Sequence, residues 1–368
     1  GPSAGRVRHG GFLDGIVLFE NSRFNISPAE AAVMDPQQRL VLEHGYAALY
    51  ASGFDQQSLE ESITGVFLGI QALEFAEIVV NSPAITSVYA GTGCAHAISS
   101  GRMSFALGMQ GPCASYDTAC STALVASHAA RSALMLAECL SSLAMGVNLM
   151  LLPASSIGAA VAGMTAPLGR CRTFDCRADG YARAEAFSAF LLRLCDATLR
   201  TALQLGGSAV RQDGRSASLT APNGQAQQAL RLAVLPRCGW AAYPSMCTEA
   251  HGTGTALGDP IEAGSHAAVT RVRGVISDIL GSVKANTGHS EPGAGATGLL
   301  KLTLHLKSAQ AVSNAQLRTL NERVGSALGT TVPSLLTLQA AAVPLAKTSG
   351  NVSSFGYSGT IAHALVTV

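Results

Sequence analysis

The chain is poor in charged residues. Only 13% of its 368 residues are Asp, Glu, Lys or Arg, and the net charge is +1. No cluster of Lys and Arg with interleaved aromatic residues is present, although that is the pattern of a nucleic-acid-binding surface. A polyanion is therefore not an expected partner. Apolar residues make up 48% of the chain, a composition that predicts one large domain or two halves with extensive burial.

Paired cysteines are also missing. The nine Cys are an odd number and none forms a Cys-x-x-Cys motif, which is typical of reduced thiols in an intracellular enzyme. The closest two, Cys171 and Cys176, have no His partner nearby and make a poor zinc site. We expect no metal and a cytoplasmic location. An organellar location stays open, because the natural N-terminus need not be Gly1.

A long stretch without charge raises the question of a membrane helix. No residue from Cys139 to Gly169 is charged, and such a length could span a bilayer. We interpret it instead as a buried strand followed by a segment of small residues, and predict no membrane span. Polar residues and a proline interrupt it at Ser141, Ser142, Asn148, Pro153, Ser155 and Ser156.

One thiol has an informative setting. Cys120 lies in the segment Asp117-Thr118-Ala119-Cys120-Ser121. The sequence predicts a strand before it, at Pro112–Tyr116, and a helix after it, from Ser121 to about Leu140. A further strand is predicted at Leu143–Leu152. At a helix N-terminus, free N–H groups and the helix dipole lower the pKa of a thiol. A free Cys is equally a residue of packed cores, so the local pattern leaves both a nucleophile and an inert thiol open.

Two distant segments favour the nucleophile. His251 lies in the glycine-rich segment from Glu249 to Ala263, and His289 ends Lys284-Ala285-Asn286-Thr287-Gly288-His289. A glycine-rich turn is not a routine position for a histidine on a helix face, so both imidazoles are candidates for chemistry.

Together these three segments resemble the β-ketoacyl synthase family, in particular the ketosynthase domains of type I polyketide synthases and related fatty acid synthases. The resemblance covers nearly the whole chain. Further matching segments follow in the family's order at about its spacing: 34–40, 206–210, 212–216, 219–224 and 352–356.

The resemblance implies roles for the catalytic residues. Cys120 would carry an acyl group as a thioester. His251 and His289, as neutral imidazoles, would assist decarboxylation of a malonyl-type extender and donate N–H to the resulting enolate. Lys284 would belong to the same polar network, a role that rests on the resemblance because a lone Lys is normally a solvated surface charge.

The resemblance also implies binding residues. The tetrahedral intermediate would be stabilised by the N–H of Cys120 and by that of Tyr357, in the loop that begins Phe355-Gly356. Two threonines, Thr253 and Thr255, would contact the phosphopantetheine arm, although hydroxyl groups in a glycine turn are also local turn formers. Asn286 completes the expected substrate-binding residues.

The expected fold is α/β, since apolar runs at 65–70, 143–152, 186–194, 275–280 and 361–368 alternate with helical stretches. The resemblance implies a thiolase-like fold of two similar halves in five αβαβα layers. All of 1–368 would be one ketosynthase domain, with Cys120 in an N-terminal half of about 1–200 and both histidines in a C-terminal half of about 201–368, divided near Cys195–Gly207. The usual opening strand is missing from the sequence, since residues 1–10 align with a segment that normally follows it.

The expected function is decarboxylative Claisen condensation of a Cys120-bound acyl group with a malonyl unit on acyl carrier protein. The partners would be acyl and malonyl thioesters, the carrier protein and a second copy of the chain, with no cofactor beyond the phosphopantetheine arm on the carrier. The first alternative is a ketosynthase-like domain that binds acyl chains or carrier protein without condensing. The second is a Cys-His hydrolase, which would need an orienting Asn or Asp.

Departures from the family pattern motivate the first alternative. Ala184 and Ala186 stand where the family usually has glycine. In the C-terminal loop, Tyr357 and Ser358 stand where it usually has phenylalanine and glycine. If these positions require positive φ, the backbone must shift, because a side chain is strained where glycine is not. Slow movement of this loop, and hence low turnover, is the resulting hypothesis.

Overall fold

The computed structural model describes residues 2–195, 203–234, 245–273, 277–329, 334–336, 343–344 and 349–368. The first sheet has the order β2-β1-β3-β4. Strand β1 runs parallel to β2 and β3, and β4 is antiparallel to β3. Both β1 and β3 are buried over their whole length, which explains the apolar runs at 66–68 and 143–147 within them. The strands are β1 Thr64–Gly69, β2 Cys113–Tyr116, β3 Ser141–Asn148 and β4 Ala186–Arg193.

The second sheet has the order β5-β12-β11-β6-β7-β9. Strands β11, β6, β7 and β9 are parallel, whereas β12 is antiparallel to both β11 and β5. A separate antiparallel pair joins β8 and β10. The strands are β5 Gln204–Gln212, β6 Ser245–Glu249, β7 Ser277–Gly281, β8 Gln310–Ala311, β9 Ser334–Leu336, β10 Val343–Pro344, β11 Ser349–Phe355 and β12 Thr360–Thr367.

Helices form three layers around these two sheets. Helices α2 and α6 cover the outer face of the first sheet, α7 and α12 lie between the sheets, and α9 covers the second sheet with α10 and α13 beside it. The predicted αβαβα arrangement is therefore confirmed. The helices are α1 Pro28–Ala32, α2 Pro36–Ala51, α3 Gln56–Leu59, α4 Glu74–Val80, α5 Ala90–Cys94, α6 His96–Leu107, α7 Thr122–Met135, α8 Pro153–Val161, α9 Gly224–Val234, α10 Gly258–Arg273, α11 Lys284–Thr287, α12 Ala294–Ser308 and α13 Glu322–Leu328.

The central layer depends on close approach of small residues. A Cβ at Gly295 of α12 would lie 2.8 Å from the Cβ of Leu124 in α7, and one at Gly146 of β3 would lie 2.6 Å from the Cβ of Ala123. Side chains at these two positions would push the central helices apart. Because α7 packs against both sheets, its N-terminus lies where residues from both halves can reach it.

Several predicted boundaries were wrong. Helix α7 ends at Met135 rather than near Leu140, because the chain leaves the helix at Ala137, whose φ is +57°. The strand predicted to reach Leu152 ends at Asn148, and Pro153 begins α8, since proline suits the first helical position. Within the described ranges, no helix is both long and apolar enough to cross a membrane.

Two predictions fall partly outside the residues that the structure describes. Most of the predicted boundary between the halves, residues 196–202, lies outside the described residues, as do residues 275–276 at the start of the strand predicted at 275–280. The described part of that strand belongs to β7, and β5 is the first described strand after the predicted boundary.

Candidate active site

Cys120 lies in a tight turn between β2 and α7. The residue before it, Ala119, has a φ of +55°, a conformation that costs a non-glycine residue about 1–2 kcal/mol. Side chains hold the turn: Asp117 Oδ1 accepts the N–H of Ala119 at 3.0 Å, and Thr122 Oγ1 accepts the N–H of Thr118 at 2.7 Å. The position of Cys120 is therefore fixed before any substrate binds.

The thiol is less acidic than its position at a helix start predicts. Burial raises the pKa of Cys120 to about 12, and the charge of Glu291 adds to the effect. Opposing contributions come from Lys284 and from backbone N–H groups of Tyr357 and Cys120 itself. The prediction of a lowered pKa was wrong, because loss of water around the sulfur outweighs the helix terminus.

His289 is the direct partner of Cys120. Its Nε2 lies 3.1 Å from the Cys120 sulfur, and the ring is fully buried. The backbone is held by one neighbouring segment, because the N–H of His289 donates to Ala182 O at 2.7 Å and its O accepts the N–H of Ala184 at 2.9 Å. Gly288, with a φ of +88°, makes the turn that brings the ring to the sulfur.

His251 is held by a carboxylate. Glu262, in the second turn of α10, accepts the N–H of His251 through Oε1 and the N–H of Gly252 through Oε2, each at 2.8 Å. The ring is fixed separately, because its Nδ1 accepts the N–H of Phe355 at 3.3 Å. Gly252 has a φ of +45°, and a Cβ there would lie 2.7 Å from both Ser282 Cβ and Thr173 Cγ2.

Both imidazoles are neutral near pH 7. Burial, reinforced by the charge of Lys284, lowers the pKa of His251 and His289 well below 6.5. Since Nδ1 of His251 accepts a hydrogen bond, its proton lies on Nε2. Within the described chain, Nδ1 of buried His289 has no partner, and an unpaired acceptor costs less than an unpaired N–H. We therefore assign the His289 proton to Nε2 as well, so that both rings can donate.

The two rings form one unit with neighbouring aromatic side chains. Their centroids are 5.5 Å apart at an interplanar angle of 88°. Tyr181 packs edge-on against His289 at 5.0 Å, and Phe355 packs against His251 at 5.5 Å. This packing fixes both imidazoles at the end of one cavity.

Lys284 is buried, with 3% of its surface exposed. Burial lowers its pKa, and the negative charges of Glu249 and Glu262 oppose that shift. The side chain does not line the cavity at Cys120, so it acts on the site as a nearby positive charge. This placement differs from the solvated surface position that is ordinary for a lysine.

The C-terminal loop closes over Cys120. A Cβ on Gly356 would lie 2.4 Å from Thr118 O, so only glycine fits there. The positive φ of the loop is at Gly359, +86°, and not at Ser358. The strain expected at Ser358 is therefore absent, and the same holds for Ala184 and Ala186, neither of which has a positive φ. Tyr357 is 49% exposed.

Two cavities meet at Cys120. One has a volume of about 390 Å³ and is lined by both histidines, by Thr253 and Thr255, and by the loop of Phe355 to Tyr357. The Oγ1 atoms of the two threonines are 3.2 Å apart. The structure thus brings every predicted site residue to this region except Asn286, which is exposed on α11 and lines neither cavity.

The second cavity, also of about 390 Å³, is lined by polar groups that the sequence analysis missed. Arg183 donates through Nε and Nη2 to the two carboxylate oxygens of Glu291, each at 2.8 Å, and through Nη1 to Ser155 and Ser156. No sequence signal pairs Arg183 with Glu291, because 108 positions separate them.

The sequence could have indicated two carboxylates that hold the His251 loop. Glu262 and Asp259 lie in the segment already quoted for its histidine, and an acid just after a glycine-rich turn is placed to accept loop N–H groups. Asp259 accepts the N–H of Gly254 at 3.1 Å and that of Phe174 at 2.7 Å. Burial raises its pKa to about 7.

Comparisons with known proteins find matches over nearly the whole chain. Residues 2–197 match the family model of the β-ketoacyl synthase N-terminal domain, and residues 203–318 match that of the C-terminal domain. One phenolphthiocerol/phthiocerol polyketide synthase protein of Mycobacterium tuberculosis is 39% identical over 99% of this chain and 24% of its own length. Another protein of the same synthase and organism is 40% identical over 95% of this chain and 16% of its own length.

Solved structures show the same fold. The ketosynthase from module 6 of the bacillaene synthase of Bacillus subtilis 168 has a TM-score of 0.87 and 34% identity, over 96% of this chain and 62% of that one. The oxazolomycin ketosynthase domain OzmH KS7 of Streptomyces albus JA3453 has a TM-score of 0.88 and 30% identity, over 97% and 64%. The chain spans about a quarter or less of the length of the two curated relatives.

Proposed function

Because the chain belongs to the β-ketoacyl synthase family, we propose that it is a condensing ketosynthase. It accepts an acyl group on Cys120 and extends it with a malonyl-type unit carried by acyl carrier protein, in polyketide or fatty acid biosynthesis. One observation carries the proposal: a nucleophilic sulfur lies 3.1 Å from Nε2 of a neutral, buried His289, with neutral His251 lining the same cavity.

Loading begins with attack of Cys120 on the carbonyl carbon of an acyl thioester. The C–S bond to Cys120 forms, and the carbonyl electrons move to oxygen. The backbone N–H groups of Cys120 and Tyr357, which contribute hydrogen bonds at the sulfur, lie on the side where that oxyanion needs donors. Collapse of the intermediate breaks the bond to the departing thiol, which takes up the proton.

Extension uses the two imidazoles as donors. Breakage of the C–C bond to the malonyl carboxylate releases carbon dioxide and leaves the electron pair as an enolate, whose oxygen accepts N–H from His251 and His289. The enolate carbon then attacks the acyl-Cys120 carbonyl, and the Cys120 thiolate departs. The lengthened β-ketoacyl group remains on the carrier.

The two cavities suit the two substrates. The phosphopantetheine arm would enter past Thr253 and Thr255, with Asn286 outside this path, and the acyl chain would occupy the cavity beside Arg183 and Glu291. No further cofactor is required, since the arm arrives on the carrier protein. We also propose that the protein is cytoplasmic and that it forms a homodimer.

The hydrolase alternative lacks its third residue. A Cys-His hydrolase needs an Asn or Asp on the far nitrogen of the histidine to orient it, but Nδ1 of His289 has no partner among the described residues. His251 Nδ1 accepts a backbone N–H. Neither imidazole is therefore arranged as such a base.

The proposal is tested by following both half-reactions by mass spectrometry. Incubation with an acyl thioester should add the acyl mass to Cys120, and subsequent malonyl carrier protein should yield a β-ketoacyl product on the carrier. Loading without product would instead support the domain that binds acyl chains without condensing. Release of free acid as the main product would support the hydrolase.

A further inference from the structure

A buried polar cluster lies behind the active site. It consists of Arg231 of α9, Glu262 and His266 of α10, and Asp278 of β7, which we call the Arg231 cluster. Each residue has 3% or less of its surface exposed, and none except Glu262 lines the cavity at Cys120. The reaction proposed above uses none of them directly.

The guanidinium of Arg231 connects the cluster. Its Nη1 lies 2.8 Å from Nδ1 of His266, and its Nη2 donates to Glu262 Oε1 at 3.3 Å. Because an arginine only donates, Nδ1 of His266 accepts and the proton of that ring lies on Nε2. Oδ2 of Asp278 lies 3.1 Å from this Nε2, although the pair does not have hydrogen-bond geometry.

Stability does not explain this cluster well. Nε of Arg231 is buried without a partner among the described residues, and an unsatisfied donor costs about 1–3 kcal/mol. Burial lowers the pKa of Arg231, while the charges of Glu262 and Asp278 raise it. Replacement of buried ionic groups by apolar side chains is often neutral or stabilising, so a role beyond folding is the better explanation.

The cluster leads to one catalytic residue. Oε1 of Glu262 accepts from Arg231 and also from the N–H of His251, while Oε2 accepts the N–H of Gly252. Oε1 of Glu262 therefore joins Arg231 directly to the backbone of His251. With Arg231 removed, Oε1 of Glu262 would keep only the N–H of His251, and the buried carboxylate would be drawn towards Lys284, whose pKa it already influences.

We propose that Arg231 is a positioning residue for His251 and acts by orienting the Glu262 carboxylate. It touches neither substrate nor the reacting atoms. This inference rests on the proposed function, because it concerns the imidazole that donates to the enolate. His266 holds the other end of the guanidinium through its Nδ1.

The test compares loading and condensation in two variants. Arg231→Gln should lower kcat for condensation at least about tenfold, since small displacements of a catalytic group are costly, with little change in KM for malonyl carrier protein. Acylation of Cys120, which does not need His251, should stay within about twofold of wild type. Arg231→Lys should lie between, because a single ammonium cannot bond His266 and Glu262 in a fork.

A matched control distinguishes an effect on the position of His251 from a general loss of protein stability. Arg102 is also a largely buried arginine, bonded to Gln38 and paired with Glu30 in the first half, away from the cavities. Arg102→Gln should lower the melting temperature without a selective loss of condensation. If Arg231→Gln lowers loading and condensation equally, or neither, the inference is overturned. If Arg231→Gln is insoluble, Arg231→Lys carries the same comparison.

A double-mutant cycle tests the route through Glu262. Glu262→Gln alone should slow condensation, and adding Arg231→Gln to it should cause little further loss, because Arg231 then has no carboxylate to orient. Multiplicative losses would contradict this route. A wild-type protein that loads but never condenses would overturn the proposed function itself, whereas a condensing wild type with an unaffected Arg231→Gln overturns only this inference.

Discussion

Nε2 of His289 lies 3.1 Å from the sulfur of Cys120, although the residues are 169 positions apart and belong to different halves. The contact exists because α7 of the first half is packed between both sheets. The arrangement couples a thiol of raised pKa to an imidazole of lowered pKa, so both partners are neutral at pH 7. How the thiol loses its proton is therefore a question that rates can answer.

Cys120 should be the only thiol among nine that is rapidly acylated. With a pKa of about 12, its thiolate fraction rises about tenfold per pH unit below that value, so loading should accelerate steadily from about pH 6.5 to 8.5. Initial rates of acylation by intact mass spectrometry check the slope. A flat profile would contradict this expectation and would place the His289 proton on Nδ1, which leaves Nε2 able to take the thiol proton.

Substitution of Cys120 is the control for that measurement. Cys120→Ala should abolish covalent loading, and loading that persists would remove the nucleophile assignment. Cys120→Gln should keep malonyl decarboxylation, because both imidazoles remain in place.

The two histidines should be needed for condensation, whereas Cys120 is needed for loading. His251→Ala and His289→Ala should slow condensation by about 10²–10⁴, as expected for loss of a positioned acid–base or donor group. At least one variant should still load, and His251→Ala is expected to, since its ring is held by Phe355 rather than by the sulfur. Condensation at the wild-type rate in both variants would disprove the catalytic role of these rings.

Sequence reasoning recovered the parts of the site that lie in short segments. Cys120, His251 and His289 each stand in a local turn whose glycines or start of helix are visible in the sequence. The raised pKa of Cys120 was not predictable in this way, because burial of the sulfur depends on elements from both halves. The Arg183–Glu291 pair was missed for the same reason.

The fold was predictable to a similar extent. Fully buried strands such as β1 and β3 appear as apolar runs, so their existence was clear. Their ends were not, since Leu152 is apolar but belongs to the chain that leads into α8. Backbone angles were also out of reach: glycine-to-serine replacement at Ser358 suggested strain, but the loop places its positive φ at Gly359.

Gly356→Ala should impair loading and condensation together. Its Cβ would overlap Thr118 O, a backbone atom that cannot easily move, and the shift would carry the N–H of Tyr357 away from Cys120. Loss of one oxyanion donor typically costs about 10²–10³ in rate. Gly101→Ala in α6, where nothing lies within 4 Å of the new Cβ, is the matched control and should leave both rates unchanged.

The chain should form a homodimer in solution. Strand β2 is at the end of the first sheet and pairs only with β1 among the described strands, which leaves an edge that a second copy could cover. Sedimentation at micromolar concentration should give the dimer mass. Cys113→Glu, at an exposed position of β2, should weaken it, whereas Leu219→Glu, 85% exposed in the second half, should not. A monomeric wild type would contradict the prediction.

The last prediction separates the ring of Tyr357 from the backbone of Ser358. Since Ser358 has no positive φ, Ser358→Gly should leave the condensation rate within about twofold of wild type. The Tyr357 ring borders both cavities and is half-exposed, so its hydroxyl group must lose water whenever the ring moves over Cys120. Tyr357→Phe should therefore speed condensation while barely altering acylation by a short acyl thioester, and the double variant should match Tyr357→Phe alone. A faster Ser358→Gly would restore the backbone hypothesis, and a Tyr357→Phe that is no faster would show that the loop already suits its own substrate.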